Sequence, residues 1–300
     1  MYDMIAQMHV VSKMSAHTIY SHHTPLVSTT NIEYFNNNPI TSSTQYTYGM
    51  INHHQLTKQK TTFPDASINE TTYNYANEKG NQLMIDKNMI GIPLETSTTQ
   101  TIGTATKMLA KSETVYPKTT VEIINNSAGL VLPLSVKLYD ISNLSNTPST
   151  EITYDKYDVK GNLQQYTTKD GVPVAIIWGY NNTQPIAKIE GAKLSDIQQS
   201  FIDSIVNASN TDALATPNSD ETLFLSVLNT FKNNLPNYQV TTYTYDPLIG
   251  VRSITPPSGI REVYFYDTAN RLKEIKQEVK NANGSLEYKI LKEFNYNYKN

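Results

Sequence analysis

Histidine supplies the first chemistry to weigh. All six histidines fall in the first 54 residues, at His9, His17, His22, His23, His53 and His54. Imidazole is the commonest metal ligand, so a Zn or Cu centre would require at least three of the six to converge within coordination distance. Two features argue against it. His22-His23 and His53-His54 are adjacent pairs, and neighbours on a strand point to opposite faces. No Asp or Glu stands beside them in sequence as a third ligand. The expectation is polar surface histidines, no metal and no cofactor.

Hydrolytic chemistry fares no better. No Gly-x-Ser-x-Gly elbow and no His-Glu-x-x-His is present. The absence of cysteine removes disulfides, thiolate metal sites and cysteine nucleophiles together. Paired carboxylates can meet through the fold, but Asp155 and Asp158 sit in a Tyr-Asp turn and Asp267 in another. There a carboxylate hydrogen-bonds nearby backbone. No enzyme activity is expected.

The aromatic residues remain. Trp178, Tyr180, Tyr243, Tyr245, Tyr264 and Tyr266 carry rings with an apolar face and a polar tip, a chemistry that stacks on sugars or seats a protein partner. Such a surface predicts a contiguous exposed aromatic patch that includes Trp178. The alternative is that the same rings hold a sheet together, packed across strands.

The surrounding sequence favours that alternative. Hydrophobic residues make up 38% and charged residues 17%, and the deficit is filled by Thr, Asn and Ser beside 21 Tyr. Thr and Tyr suit a half-buried pleated surface, and Asn and Ser suit turns. A net charge of −3 presents no basic face for nucleic acid. No apolar window is long enough to span a membrane. The first residues lack the basic and apolar regions of a signal peptide, so the chain is expected to be cytoplasmic if complete, or part of a longer exported chain.

A Tyr-x-Tyr strand followed by a polar turn recurs at Tyr46–Tyr48, Tyr73–Tyr75, Tyr154 to Leu163, Tyr243–Tyr245, Tyr264–Tyr266 and Phe294 to Tyr298. Near the C-terminus the units are 21 residues apart, a stacked-repeat spacing. Lys160-Gly161-Asn162, Lys169-Asp170-Gly171 and Asn283-Gly284 read as hairpin turns, while Asp246-Pro247 and Pro256-Pro257-Ser258-Gly259 read as loops. Asn88 to Glu95 loosely echoes His9 to Ser15. One stretch is helical: Ser195 with Gln198 forms a capping-box pattern ahead of Ile197, Phe201, Ile202, Ile205 and Val206. A second helix is expected from Ser219, with Phe224, Val227, Leu228 and Phe231 on one face, after a loop from Asn207 to Asn218. The pair is expected to cap the sheet. The organisation is therefore a divergent β-repeat region over 1–150, β hairpins over 151–192, a helical hairpin insertion over 193–236, and further β hairpins over 237–300.

At this point a family likeness emerges. Tyr264-Phe265-Tyr266-Asp267 leading through Asn270 to Arg271-Leu272 resembles the YD-repeat consensus, with Asn in place of the turn glycine. Tyr157-Asp158-Val159-Lys160-Gly161-Asn162-Leu163 matches it with the glycine intact, and Tyr243 to Thr255 resembles the variant of Bacteroidetes (flavobacterial) Rhs/YD-repeat proteins. Ile177-Trp178-Gly179-Tyr180-Asn181 with Pro185 to Ile189 adds to the likeness, which is strong from about residue 150 onward. The resemblance implies a mainly β, antiparallel repeat sheet that winds into a spiral or partial shell. It also implies export to the cell surface, and a structural role whose partners are the rest of a larger repeat shell, or a glycan or protein there. No effector domain is expected after the last Tyr-x-Tyr strand and no stretch matches the autoproteolytic segment of toxin-bearing members, so a piece of wall is expected in preference to a closed container.

Overall fold

The structure, a computed structural model, describes residues 24–49, 53–143, 147–214, 221–281 and 283–296. It is mainly β. Among the described residues sixteen strands form one sheet, and the order in space is the order in sequence. The first six are β1 (Ser28–Phe35), β2 (Asn38–Tyr48), β3 (Leu56–Thr62), β4 (Ile68–Asn74), β5 (Glu95–Ile102) and β6 (Ala105–Val115). They continue as β7 (Ser135–Leu138), β8 (Ser149–Tyr157), β9 (Leu163–Thr168), β10 (Pro173–Gly179) and β11 (Gln184–Glu190). The last five are β12 (Gln239–Asp246), β13 (Gly250–Thr255), β14 (Glu262–Tyr266), β15 (Leu272–Lys280) and β16 (Leu286–Glu293). Every neighbouring pair is antiparallel, and the sheet runs unbroken past residue 150 through the pairing of β7 with β8.

Turn chemistry explains why the chain reverses where it does. Asn36 and Asn37 both take positive φ (48° and 61°), as a two-residue hairpin loop requires. Longer reversals repeat one five-residue design. At Asp158–Asn162 the first residue's N–H donates to the fifth residue's carbonyl, and the fourth residue's N–H returns to the first. The same two bonds close the turns that begin at Phe63, Thr168, Asp267 and Asn281. The fourth residue is left-handed each time: Ala66, Gly161, Gly171, Asn270 and Gly284. This is a type I turn followed by a left-handed residue. Asn270 at φ 59° thus does the work of the consensus glycine.

Helices fill the longer connections. α1 (Gln82–Asp86) and α2 (Thr120–Ser127) join β4 to β5 and β6 to β7. The sequence reading did not foresee them, although Thr119 and Glu122 form a complete capping box at the start of α2. α3 (Gln199–Leu214) and α4 (Thr222–Asn233) form the expected helical pair between β11 and β12. Two details differ from expectation. Ser195 does not cap α3: it lies in a 3-10 turn, Leu194–Asp196, whose Lys193 N–H is taken by the Asp196 carboxylate at 2.9 Å. Residues 207–214 belong to α3 and not to a loop, because Ser209 and Asp212 face inward and are buried. Ser219, proposed as the start of the second helix, lies outside the described residues, as do residues 9–15 of the loose repeat.

The helical pair lies over the middle of the sheet. Ile205 of α3 and Phe224, Leu228 and Phe231 of α4 pack with Ala175, Ile177, Ile189 and Val240 of the strands beneath, forming the main core. Each such side chain, 0–3% exposed, contributes roughly 1.5–3 kcal/mol of transfer free energy. A smaller cluster of Ala76, Met84 and Leu94 sits under α1. Among the described residues no element covers the outermost strands, β1 and β16, and all eight residues of each are exposed.

Candidate functional site

The residues that recur along the sheet gather at one rim. Even-numbered strands all run toward it, and at the ends of six of them, β2, β4, β8, β10, β14 and β16, an aromatic side chain reaches back over the preceding odd-numbered strand. The Tyr157 hydroxyl, at the end of β8, donates to the Pro133 carbonyl just before β7 at 2.8 Å. Tyr75, next to β4, donates to Leu56 O at 2.6 Å, and Tyr266, at the end of β14, to Val251 O at 2.7 Å. Tyr48 reaches Leu26 O at 3.0 Å and Tyr296 reaches Leu272 O at 2.8 Å. On β10 the place is taken by Trp178, whose Nε1–H donates to Leu163 O at 2.8 Å. Each bond ties the end of one hairpin arm to the start of the other.

The next residue folds the chain onward. Asp158 Oδ1 accepts from the N–H groups of Lys160 (2.8 Å) and Asn162 (2.9 Å). Asp267 Oδ1 accepts from Ala269 (2.8 Å) and Arg271 (3.0 Å). At the opposite rim, where β15 turns into β16 and no aromatic clamp precedes it among the described residues, Asn281 Oδ1 accepts in the same way from Asn283 and Ser285, both at 3.0 Å. The Arg271 guanidinium and these backbone donors hold the Asp267 carboxyl down at about 2. The Tyr-Asp dipeptide is therefore a two-part fastener. Tyrosine clamps the hairpin just completed, and aspartate shapes the turn into the next one. Register shifts fall beside this rim in the β2–β3, β8–β9, β10–β11, β12–β13 and β14–β15 pairs, and bulges of this kind increase local twist.

The six aromatic residues singled out from the sequence do not form one open face. Trp178 and Tyr266 spend their polar atoms on the clamps. Tyr180 is 2% exposed, because its hydroxyl donates to Asp212 of α3 at 2.9 Å and accepts from Tyr245 N–H at 3.0 Å. Its ring meets Phe224 and Tyr245 edge-on. Burial pushes its hydroxyl well above the usual phenol range, and that of Tyr245 up to about 12. Tyr243 and Tyr264 are half-buried opposite Ile254 and Ile275. Tyr154 and Tyr166 are direct cross-strand partners, the packing expected of a ladder.

Tyr180 also locks the helical pair to the rim. Tyr180, Asn181 and Asn182 are consecutive left-handed residues. The Tyr180 N–H donates to Ser209 Oγ at 3.1 Å and the Asn181 N–H to Asn210 Oδ1 at 2.7 Å. A Cβ on Gly179 would lie 2.2 Å from Ser209 Oγ, so only glycine lets α3 approach this closely.

Three polar groupings were not legible in the sequence. Glu221, at the start of α4 and 4% exposed, pairs with Arg252 at 3.3 Å and with Arg261, while Arg261 also pairs with Glu278 at 2.8 Å. Beside it, Phe265, Asp246 and Tyr288 line an open pocket of about 420 Å³. Farther along the sheet, Lys79 bridges Glu95 and Glu113, both at 2.8 Å. His53 corrects the expectation of surface histidines. It is 5% exposed, packed 4.9 Å from the Tyr75 ring, with Nε2 on Glu78 at 3.0 Å and Nδ1 accepting from Gln55 N–H. Burial raises the Glu78 carboxyl, but its hydrogen bonds from His53 and from Tyr75 N–H outweigh that and hold it below its usual value. Among the described residues no three His, Asp or Glu side chains are grouped to hold a metal. His9, His17, His22 and His23 lie outside them. Asp155 is engaged by Thr167 Oγ1 at 2.7 Å and by Gln165.

The fold is that of a sequential antiparallel β-meander with a helical pair inserted across its face. No known protein-family description matches the chain, and no curated protein matches it. Among solved structures it is similar to the crystal structure of TcdB2-TccC3 without its hypervariable C-terminal region, at 13% identity and a TM-score of 0.40, over 90% of this chain. It is also similar to the Tc holotoxin pore of Photorhabdus luminescens, at 13% identity and a TM-score of 0.33, over 89% of this chain. The chain spans only 12–13% of those structures' own chains. Likeness of this degree assigns no activity.

Proposed function

We propose that this chain is a non-catalytic structural segment of an exported YD/Rhs-type surface or shell protein, a length of wall whose product is the sheet itself. The observation that carries this reading is the repeated fastener. The aromatic clamp and the Asp turn spend the conspicuous polar groups of the repeat on the sheet's own backbone. A unit of this kind extends a sheet hairpin by hairpin, and both lateral edges of the described sheet stand uncovered.

The test is fractionation of the cells that make the protein, by compartment and by size, followed with an antiserum against residues 237–281. The wall reading expects the chain outside the cytoplasm, in a high-molecular-weight species. A soluble cytoplasmic monomer would overturn it.

A further inference from the structure

The two edge strands are complementary to each other. Side chains of directly opposed residues share a face of a sheet. That face can be followed from Ile32 and Tyr34 of β1 through Lys60, Glu70, Glu95 and Glu113. It continues through Thr153, Thr167, Ala175 and Val240 to Val263, Lys276 and Ile290. Ile32 and Tyr34 at one edge, and Tyr288 and Ile290 at the other, therefore stand on the same face. All four are about half exposed or more, at 50%, 73%, 49% and 52%. The opposite face carries Glu33 at one edge and Lys289 at the other, both exposed.

We propose that the chain joins end to end with further copies of itself. The β16 edge of one copy adds onto the β1 edge of the next, with Tyr288 opposite Tyr34, Lys289 opposite Glu33 and Ile290 opposite Ile32. The proposal rests on the reading of the chain as wall. Sixteen is an even number, so β16 and the next copy's β1 run antiparallel and the meander continues unchanged. This register matches ring with ring and aliphatic with aliphatic on one face, and cation with anion on the other. Sliding by two residues one way sets Glu287 against Glu33. Sliding the other way sets Leu291 against Glu33, which leaves that carboxylate without its cation, and Lys292 against Ile32. An apolar edge left uncovered among the described residues is a template for strand addition, and the two joining surfaces differ, so the contact is heterologous and propagates.

Sedimentation velocity of the full 300-residue chain over a concentration series tests this. The natural chain is expected to form a concentration-dependent ladder of species. Glu33→Lys and Lys289→Glu should each weaken association at least several-fold. The double reversal, or an equimolar mixture of the two single variants, should restore it. Circular dichroism checks that each variant keeps its β content. A natural chain that is monomeric at every concentration overturns the proposal, as does association that survives both single reversals or is not rescued by the double one. If the purified chain is monomeric while the cellular protein still fractionates as a large external species, self-pairing fails and the wall reading stands.

Discussion

Replacing Tyr157 by Phe removes one oxygen and little else. The ring stays beside Tyr154, 6.3 Å between centroids, and the residue is only 8% exposed. What disappears is the 2.8 Å bond to the Pro133 carbonyl, the clamp that closes the β7–β8 hairpin. A typical hydrogen bond contributes roughly 0.5–1.5 kcal/mol net, and a part-buried acceptor losing its donor adds somewhat to that, so a local cost of about 1–2 kcal/mol is expected. That raises the population of the locally open hairpin about 5- to 30-fold. Because a sheet of stacked hairpins opens in parts, the suitable assay is native-state amide exchange. The reporters are the Tyr154 N–H, bonded to Leu134 O, and the Asp158 N–H, bonded to Asn162 O. Tyr154→Phe is the control, since it alters the same ring pair without touching the clamp. Exchange at these amides unchanged in Tyr157→Phe, or accelerated equally by both variants, would refute the clamp.

Other measurements reach different parts of the same argument. Burial raises the Tyr157, Tyr180 and Tyr245 hydroxyls, the last to about 12 from an ordinary value near 10. Their folded-state stability is therefore complete below about pH 10 and lost as pH rises through the folded values, with Tyr245 alone accounting for about 3 kcal/mol. Tyrosinate absorbance should then appear together with loss of β signal, and titration of all tyrosines in a still-folded chain would contradict it. Asp267, depressed to about 2, favours the fold above the usual carboxylate range and loses that contribution as pH falls through about 2. Carbon-detected NMR should find its midpoint there and see it rise in Arg271→Gln. Gly179→Ala should push α3 off the rim at a cost of roughly 1–3 kcal/mol, read as a lower urea midpoint. An unchanged midpoint would mean that the close approach is not needed.

Much of the architecture was legible because its signals are local. Tyr-x-Tyr alternation, the Gly and Asn turn positions and the apolar stripe through Phe224 and Leu228 each report on a few neighbouring residues. The clamps were half legible. Trp178 lies 21 residues after Tyr157, a repeat interval, yet the spacing does not say that its Nε1–H stands in for a tyrosine hydroxyl on the Leu163 carbonyl. What spacing cannot tell is where a hydroxyl points, so the choice between an exposed aromatic face and the favoured sheet-holding ladder could not be made residue by residue. Tyr180 is held by Asp212, which is 32 residues away, and His53 by Glu78, which is 25 away. No sequence period connects such pairs. Glu221 and its arginines were invisible for the same reason, since they meet only after the helical pair folds back over β12 and β13.

The placement of the clamps has a mechanical consequence. Each lies at the C-terminal end of an even-numbered strand, and the chain leaves β16 at that same rim. A force drawing the C-terminus outward would peel the sheet one strand at a time, as a zipper opens. On β16 and then on β14 the first bond to bear the load would be an aromatic latch, Tyr296 and then Tyr266, and the next latch met would be Trp178 on β10. Rupture should therefore proceed in steps of two strands, from β16 to β14 or β10 to β8, or four, from β14 to β10, each held until its latch gives way.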